Sequence, residues 1–163
     1  MKNKLYVIKN SKIHGKGVYA RIDIKKRTKI IEYVGEKLTK KQGDVRAQEQ
    51  YNLSKKNKNM GSVYVFELDN KYDIDGYVSW NPARLINHSC DSNCKYKMIN
   101  KGIWIVARKD IKKGEEITYD YGYDLEDYKD HPCKCGSKNC IGYIVGKHYK
   151  KKLIRILKKK KNN

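Results

Sequence analysis

Four short pieces of this chain carry residue types that can do chemistry together: Gly15-Lys16-Gly17, Asn87-His88-Ser89-Cys90, Tyr119-Asp120-Tyr121 and Cys133-Lys134-Cys135…Cys140. The glycine pair allows a tight turn or a close backbone approach. The second piece joins an amide, an imidazole and a thiol, and the third offers two phenols. The last places three thiols within eight residues. Without a secretion signal, such a cluster reads as metal binding rather than as disulfides. A structural zinc wants four thiolates or imidazoles in a tetrahedron, so one place is left. Cys90, Cys94 and His131 are the candidates for it, and spacing alone does not choose among them. Each piece alone also has an ordinary reading. A GxG is usually a turn, a lone His is more often structural, and tyrosines in a strand are usually half-buried packing residues.

Short β-rich runs must position these groups. Residues 5–8, 29–35, 63–68, 72–75 and 103–107 read as strands, and Glu116 to Tyr119 pairs after a Lys-Gly turn. Thr39 is an N-cap for one helix running to about Leu53, whose sparse apolar positions place it on the surface as an insert. Asn57 to Gly61 is a polar loop. Many short strands with one helix predict a mostly β (α+β) domain with a closed or folded-over sheet. From Lys147 to Asn163 the chain holds nine Lys or Arg and no acid, with Tyr149, Leu153 and Ile156/Leu157 at helical spacing. This basic amphipathic stretch reads first as a solvated end. Nucleic-acid contact, a nuclear localisation signal and modification of its own lysines are the alternatives.

A chain of 163 residues is most simply one domain, small enough that a metal staple would help. It has no long apolar run, and the basic Met1 to Lys4 is not followed by an apolar signal segment. A soluble, unsecreted monomer in a reducing compartment is expected, with no membrane association. The net charge is +20, from 38 Lys and Arg against 18 Asp and Glu. That excess suits a polyanionic partner. Only six of the basic residues are Arg, and Lys, Asn, Ile and Tyr all have A/T-rich codons, so a biased genome accounts for it equally well.

In this order and spacing the four motifs resemble the SET domain, the protein-lysine methyltransferase fold, followed by its zinc-binding post-SET segment. The resemblance runs from about Lys4 to Val145 and implies several small sheets around a knot-like threading. It divides the chain into a SET domain (1–130), a post-SET segment (131–146) and a basic tail (147–163). No cysteine-rich pre-SET cluster is expected, so substrate selection falls to the insert around Asp44–Asn59, the post-SET segment, the tail or a partner.

The resemblance also implies a chemistry: methyl transfer from S-adenosylmethionine to a lysine of a histone-like or other basic protein, mainly monomethylation with some dimethylation. Lys16, Gly17, Tyr19, Asn87, His88, Tyr121 and Tyr143 would contact the cofactor, Tyr143 by packing on the adenine. Tyr121 would be the catalytic tyrosine, Tyr64 a channel tyrosine that binds the amine, and Tyr119 the position that limits how many methyls fit. Tyr96, shortly after the Asn-His motif, is the alternative for that last role. Cys90 would join Cys133, Cys135 and Cys140 on Zn2+, leaving Cys94 a buried free thiol. The expected location is cytoplasmic or nuclear/nucleoid, including delivery to a host nucleus. Two rival readings are a catalytically silent zinc-stabilised chromatin or DNA-associated module, and an architectural protein driven by charge alone.

Overall fold

The computed structural model describes residues 4–57 and 60–161. Met1 to Asn3, two positions of the expected insert (58 and 59) and the last two of the tail lie outside them. Ten short strands form three sheets. In the first, β1 (Tyr6–Asn10), β2 (Lys16–Ala20), β10 (Glu116–Tyr119) and β7 (Asn87–His88) lie in that order. β10 runs antiparallel to β2 and parallel to β7, with Thr118 beside Asn87 and Tyr119 beside His88. The second sheet is β3 (Lys29–Tyr33), β9 (Gly102–Ala107) and β8 (Cys94–Ile99), and the third is β4 (Glu36–Thr39), β6 (Tyr72–Asp75) and β5 (Val65–Glu67).

β-branched residues build the core between these sheets. Val18, Ile24, Ile30, Ile31, Ile103, Ile105, Ile111 and Ile117 are buried together with Ile86 and Tyr119. Such residues suit a pleated surface covered on both sides. Helix α1 (Lys40–Lys56) begins as expected: Thr39 caps it, and Gln42 closes a capping box by accepting from the Thr39 amide. It lies on the third sheet, with only Gly43 and Gln50 buried. Gly43 faces Asp73 so closely that a Cβ would come within 2.2 Å of its carboxylate.

Four strands, β2, β4, β7 and β8, lie outside the runs expected to be strands, and the run at 63–68 shortens to Val65–Glu67, which leaves Tyr64 in the approach to the strand. The larger difference is at the C-terminus. A helix α2 (Lys150–Lys161) is docked on the fold, with Leu153 wholly buried against Tyr128 and Val145. The solvated-end reading of the tail is therefore corrected for the described residues. Leu153 and Leu157, one turn apart, share a face and find a partner surface. No helix among the described residues is long and apolar enough to cross a membrane.

Candidate active site and thiolate cluster

The fold leaves a cavity of about 740 Å³ between the core, the stretch from Gly61 to Leu68 and the C-terminal residues from Tyr121 to His131. That volume accommodates a drug-sized ligand. Tyr33, Tyr64, Phe66, Tyr96, Tyr119, Tyr121 and Tyr123 line it, with Asn87, Lys16, Arg84 and His131 among the polar wall groups.

The tyrosines form a connected aromatic wall. Tyr119 and Tyr121, at and just beyond the end of β10, have ring centroids 5.0 Å apart, and Tyr121 lies 5.5 Å from Tyr123. Phe66 touches Tyr119 on one side and Tyr96 on the other. The Tyr121 hydroxyl donates to the Ile86 carbonyl at 2.9 Å, which fixes the ring beside the Asn-His segment. The Tyr33 hydroxyl donates to the Tyr64 carbonyl at 2.7 Å, and the Tyr64 hydroxyl accepts from the Gly61 amide. Burial holds the phenols of Tyr33, Tyr119 and Tyr121 well above their ordinary pKa. They stay neutral hydrogen-bonding groups throughout the physiological range.

Tyr64 has a support that sequence reading missed. From α1, the buried Gln50 accepts from the Tyr64 amide and donates to Asp75, each at 2.8 Å. Asp75, 1% exposed, also accepts from the Tyr77 amide and pairs with Arg46. The Tyr64 and Tyr77 rings then meet at 4.8 Å. A buried carboxylate is tolerated where such partners satisfy it.

Asn87 is tied to the glycine loop. Its amide donates to the carbonyls of His14 and Lys16, both at 3.2 Å, and to the Glu116 carboxylate at 2.8 Å. Glu116 also accepts from Ser11 and from the Tyr19 hydroxyl. Gly17 sits against it: a Cβ there would lie 2.4 Å from Glu116 Oε1. A side chain at 17 would have to displace this carboxylate from its bonds to Asn87, Ser11 and Tyr19. Tyr19 points to Glu116 and the Asn10 carbonyl and does not line the cavity. Tyr143 does not line it either; its ring meets Tyr128 at 4.9 Å. His88, buried in β7, accepts at Nδ1 from the Tyr121 amide and turns Nε2 to the Cys90 sulfur at 3.6 Å.

The sulfurs of Cys90, Cys133, Cys135 and Cys140 all lie within 4.8 Å of one another. Cys90 and Cys133 are 3.8 Å apart, against about 3.8 Å for the edge of a tetrahedron with 2.3 Å zinc–sulfur bonds. The Cys90 amide donates to Cys135 and the Gly142 amide to Cys140, contacts that stabilise thiolates. Cys133 and His88 beside it lower the Cys90 pKa. The donor set fits a structural zinc. Cys94 is remote from it in the core, where burial pushes its thiol up to about 12, so it is a buried free thiol. His131 meets the Tyr123 ring edge-on, with centroids 4.5 Å apart, on the cavity wall. The three candidates for the fourth place thus separate cleanly by position.

The SET domain family model matches residues 15–122. The chain belongs to the SET domain family. It is 41% identical over 144 residues to histone-lysine N-methyltransferase trr of Drosophila melanogaster, covering 85% of this chain and 6% of that protein. Against histone-lysine N-methyltransferase set-2 of Caenorhabditis elegans it is 39% identical over 147 residues, covering 88% and 9%. Against the H3 lysine-4 specific histone-lysine N-methyltransferase of Emericella nidulans it is 42% identical over 140 residues, covering 82% and 11%. The chain thus spans only a small part of each of these relatives.

Proposed function

We propose that the chain is a protein-lysine N-methyltransferase that uses S-adenosylmethionine and acts on a histone-like or other basic protein, in a nuclear or chromatin setting. The observation that carries this reading is the aromatic cavity in which Tyr64, Tyr119 and Tyr121 meet beside Asn87 and the glycine loop. The cofactor would supply a methyl group activated on a sulfonium. Lys16, Gly17, Asn87, His88 and Tyr121 would hold it, and Asn87 is already oriented by Glu116. Tyr19 and Tyr143, the other two cofactor contacts the resemblance implies, are engaged by Glu116 and by the Tyr128 ring.

The remaining work falls to the chain's own groups. A lysine amine attacks only when neutral, and its pKa in water is about 10.4. Enclosure by phenyl faces disfavours the ammonium and lowers that value. The Tyr121 and Tyr64 hydroxyls, neutral and fixed by backbone partners, orient the amine. Alignment within the cavity then lowers the barrier without an acid–base residue. Tyr119, buried where Tyr96 is 46% exposed, is the better placed to limit added methyls. Mainly monomethyl product follows. One zinc on Cys90, Cys133, Cys135 and Cys140 would tie the C-terminal wall of the cavity to the Asn-His segment.

The test is incubation of the full chain with methyl-labelled cofactor and purified core histones, with the modified lysine mapped by mass spectrometry. Label on a defined lysine is expected from the wild type and not from Tyr121→Phe. Cofactor binding by calorimetry without transfer to any basic protein would favour the silent binding module instead.

A further inference from the structure

The two helices treat charge in opposite ways. In α1, Arg46 pairs with Glu36, Glu49 and Asp75. In α2 and its approach, Lys147 to Lys161, there is no acid, and none of the ion pairs among the described residues involves it. Lys151, Lys152, Arg155, Lys158 and Lys159 are all exposed. Residues 151, 155 and 159 stand at i, i+4 and i+8, where like charges repel. Lys150 to Lys152 also crowd the first turn, where the helix dipole disfavours cations. Lys150 and Lys160 find partners in the Asn139 carbonyl and the Tyr128 hydroxyl, but no acid offsets the repulsion along 151, 155 and 159, and a polyanion would relieve it.

Docking makes the charges a fixed row. Leu153 is wholly buried, Leu157 packs on the same cluster, and the Lys150 ammonium donates to the Asn139 carbonyl. From 151 to 159 the row spans about 12 Å at 1.5 Å per residue. Duplex DNA presents a charge about every 1.7 Å of its axis, so several phosphates fall within that reach. No aromatic residue lies between 150 and 161 to stack on an unpaired base. The apolar stripe that a membrane-surface helix would insert is already spent on Tyr128 and Val145.

We propose that the outer face of α2 binds the phosphate backbone of double-stranded DNA, without sequence preference. The binding site is thereby fixed to the C-terminal wall of the cavity and does not depend on the catalytic reading.

The experiment measures binding of the full chain to a labelled 30-base-pair duplex by anisotropy across a salt series. The variant Lys151→Gln/Arg155→Gln/Lys159→Gln should bind about tenfold or more weakly, and the slope of log affinity against log salt should fall by about 2.7, or 0.9 per lost contact. Lys151→Arg/Lys159→Arg, which keeps the charges, should bind as wild type. A control, Lys26→Gln/Lys97→Gln/Lys113→Gln, removes three exposed charges outside the helix and should leave the slope unchanged. Equal losses in both triple variants would overturn the proposal in favour of diffuse net charge. Tighter binding to a single strand of the same length, or to phosphatidylserine vesicles, would overturn it as well.

Discussion

The main core and the C-terminal lobe are built on different principles although one cavity lies between them. The core buries Val18, Ile24, Ile31, Ile103, Ile105, Ile111 and Ile117 between paired strands. The lobe buries only Tyr128, Val145 and Leu153, with Leu125, Ile141, Tyr143, Tyr149 and Leu157 half-covered around them. Its chain is held by the Pro132–Tyr143 bridge, by a few backbone hydrogen bonds such as Gly146 N–H to the Tyr123 carbonyl, and by convergent thiols. So small an apolar cluster cannot order a segment by itself, which is where metal staples are used. The difference teaches that one half of the cavity wall, Tyr119 and Tyr121, is set by the core, while the other, with Tyr123, Asp127 and His131, is set by the lobe.

The sharpest test of the core's share is Tyr121→Phe. Turnover should fall on the order of 100-fold or more through lost alignment, with cofactor binding by calorimetry little changed; near-wild-type turnover would remove Tyr121 from its role. The lobe's share is tested by the metal. One zinc per chain is expected by metal analysis, lost in Cys135→Ser and kept in Cys94→Ser. Metal loss should make the segment from 131 to 161 sensitive to protease and abolish most activity, while thermal unfolding of the core shifts little. Equal collapse of core and lobe would erase the distinction between them.

Leu153→Ala should cost the lobe about 2–5 kcal/mol of local stability, the range for truncating a buried Leu. Hydrogen exchange should then rise across α2 and around Tyr128 but not in β9. A smaller effect belongs to Tyr119→Phe, which should raise the share of di- and trimethyl product without destroying activity, read by mass spectrometry. A preference of this kind needs only about 1.4 kcal/mol for a tenfold change in rate. Mostly trimethyl product from the wild type would move attention to Tyr96.

The core alone should also show an alkaline limit. Tyr33, Tyr119 and Tyr121 have folded pKa values raised above the unfolded value of about 10, because burial disfavours the phenolate. The stabilisation from keeping them neutral is complete below about pH 10 and is lost as pH rises through the folded values. The part of the tyrosinate absorbance that comes from these three rings should therefore appear as a separate step, together with core unfolding above pH 10, apart from that of exposed tyrosines such as Tyr77 and Tyr96. Titration of these rings with the fold intact would contradict their burial.

Much of this was legible in the sequence. The capped start of α1 and the strands at 29–33, 72–75 and 102–107 follow from local patterns. β8 was missed because its exposed Lys95, Tyr96 and Lys97 give no apolar alternation, although the strand is held by β9 along its whole length. β4 was missed for the same reason: only Leu38 in it is buried. Gln50, Asp75 and Glu116 escaped notice because their value lies in partners distant in sequence. A buried Gln in a polar helix carries no local mark, and Glu116 reads as one more charge before a strand.

By itself the sequence determined which chemical groups are present and in which order. Motif identity is local, and the thiols, phenols, amide and glycines carry their reactivity with them. Spacing left Cys90, Cys94 and His131 open and the resemblance implied Cys90; the tertiary structure brings Cys90 to the three C-terminal thiols, because folding alone sets the distance between residues more than forty positions apart. It likewise decided that Gly17 packs against the Glu116 carboxylate and that the basic tail is a docked helix. A lysine-rich stretch with two or three apolar residues can lie free or pack. Which it does depends on whether Tyr128 and Val145 present a surface to Leu153, and that surface exists only after the chain has closed on itself.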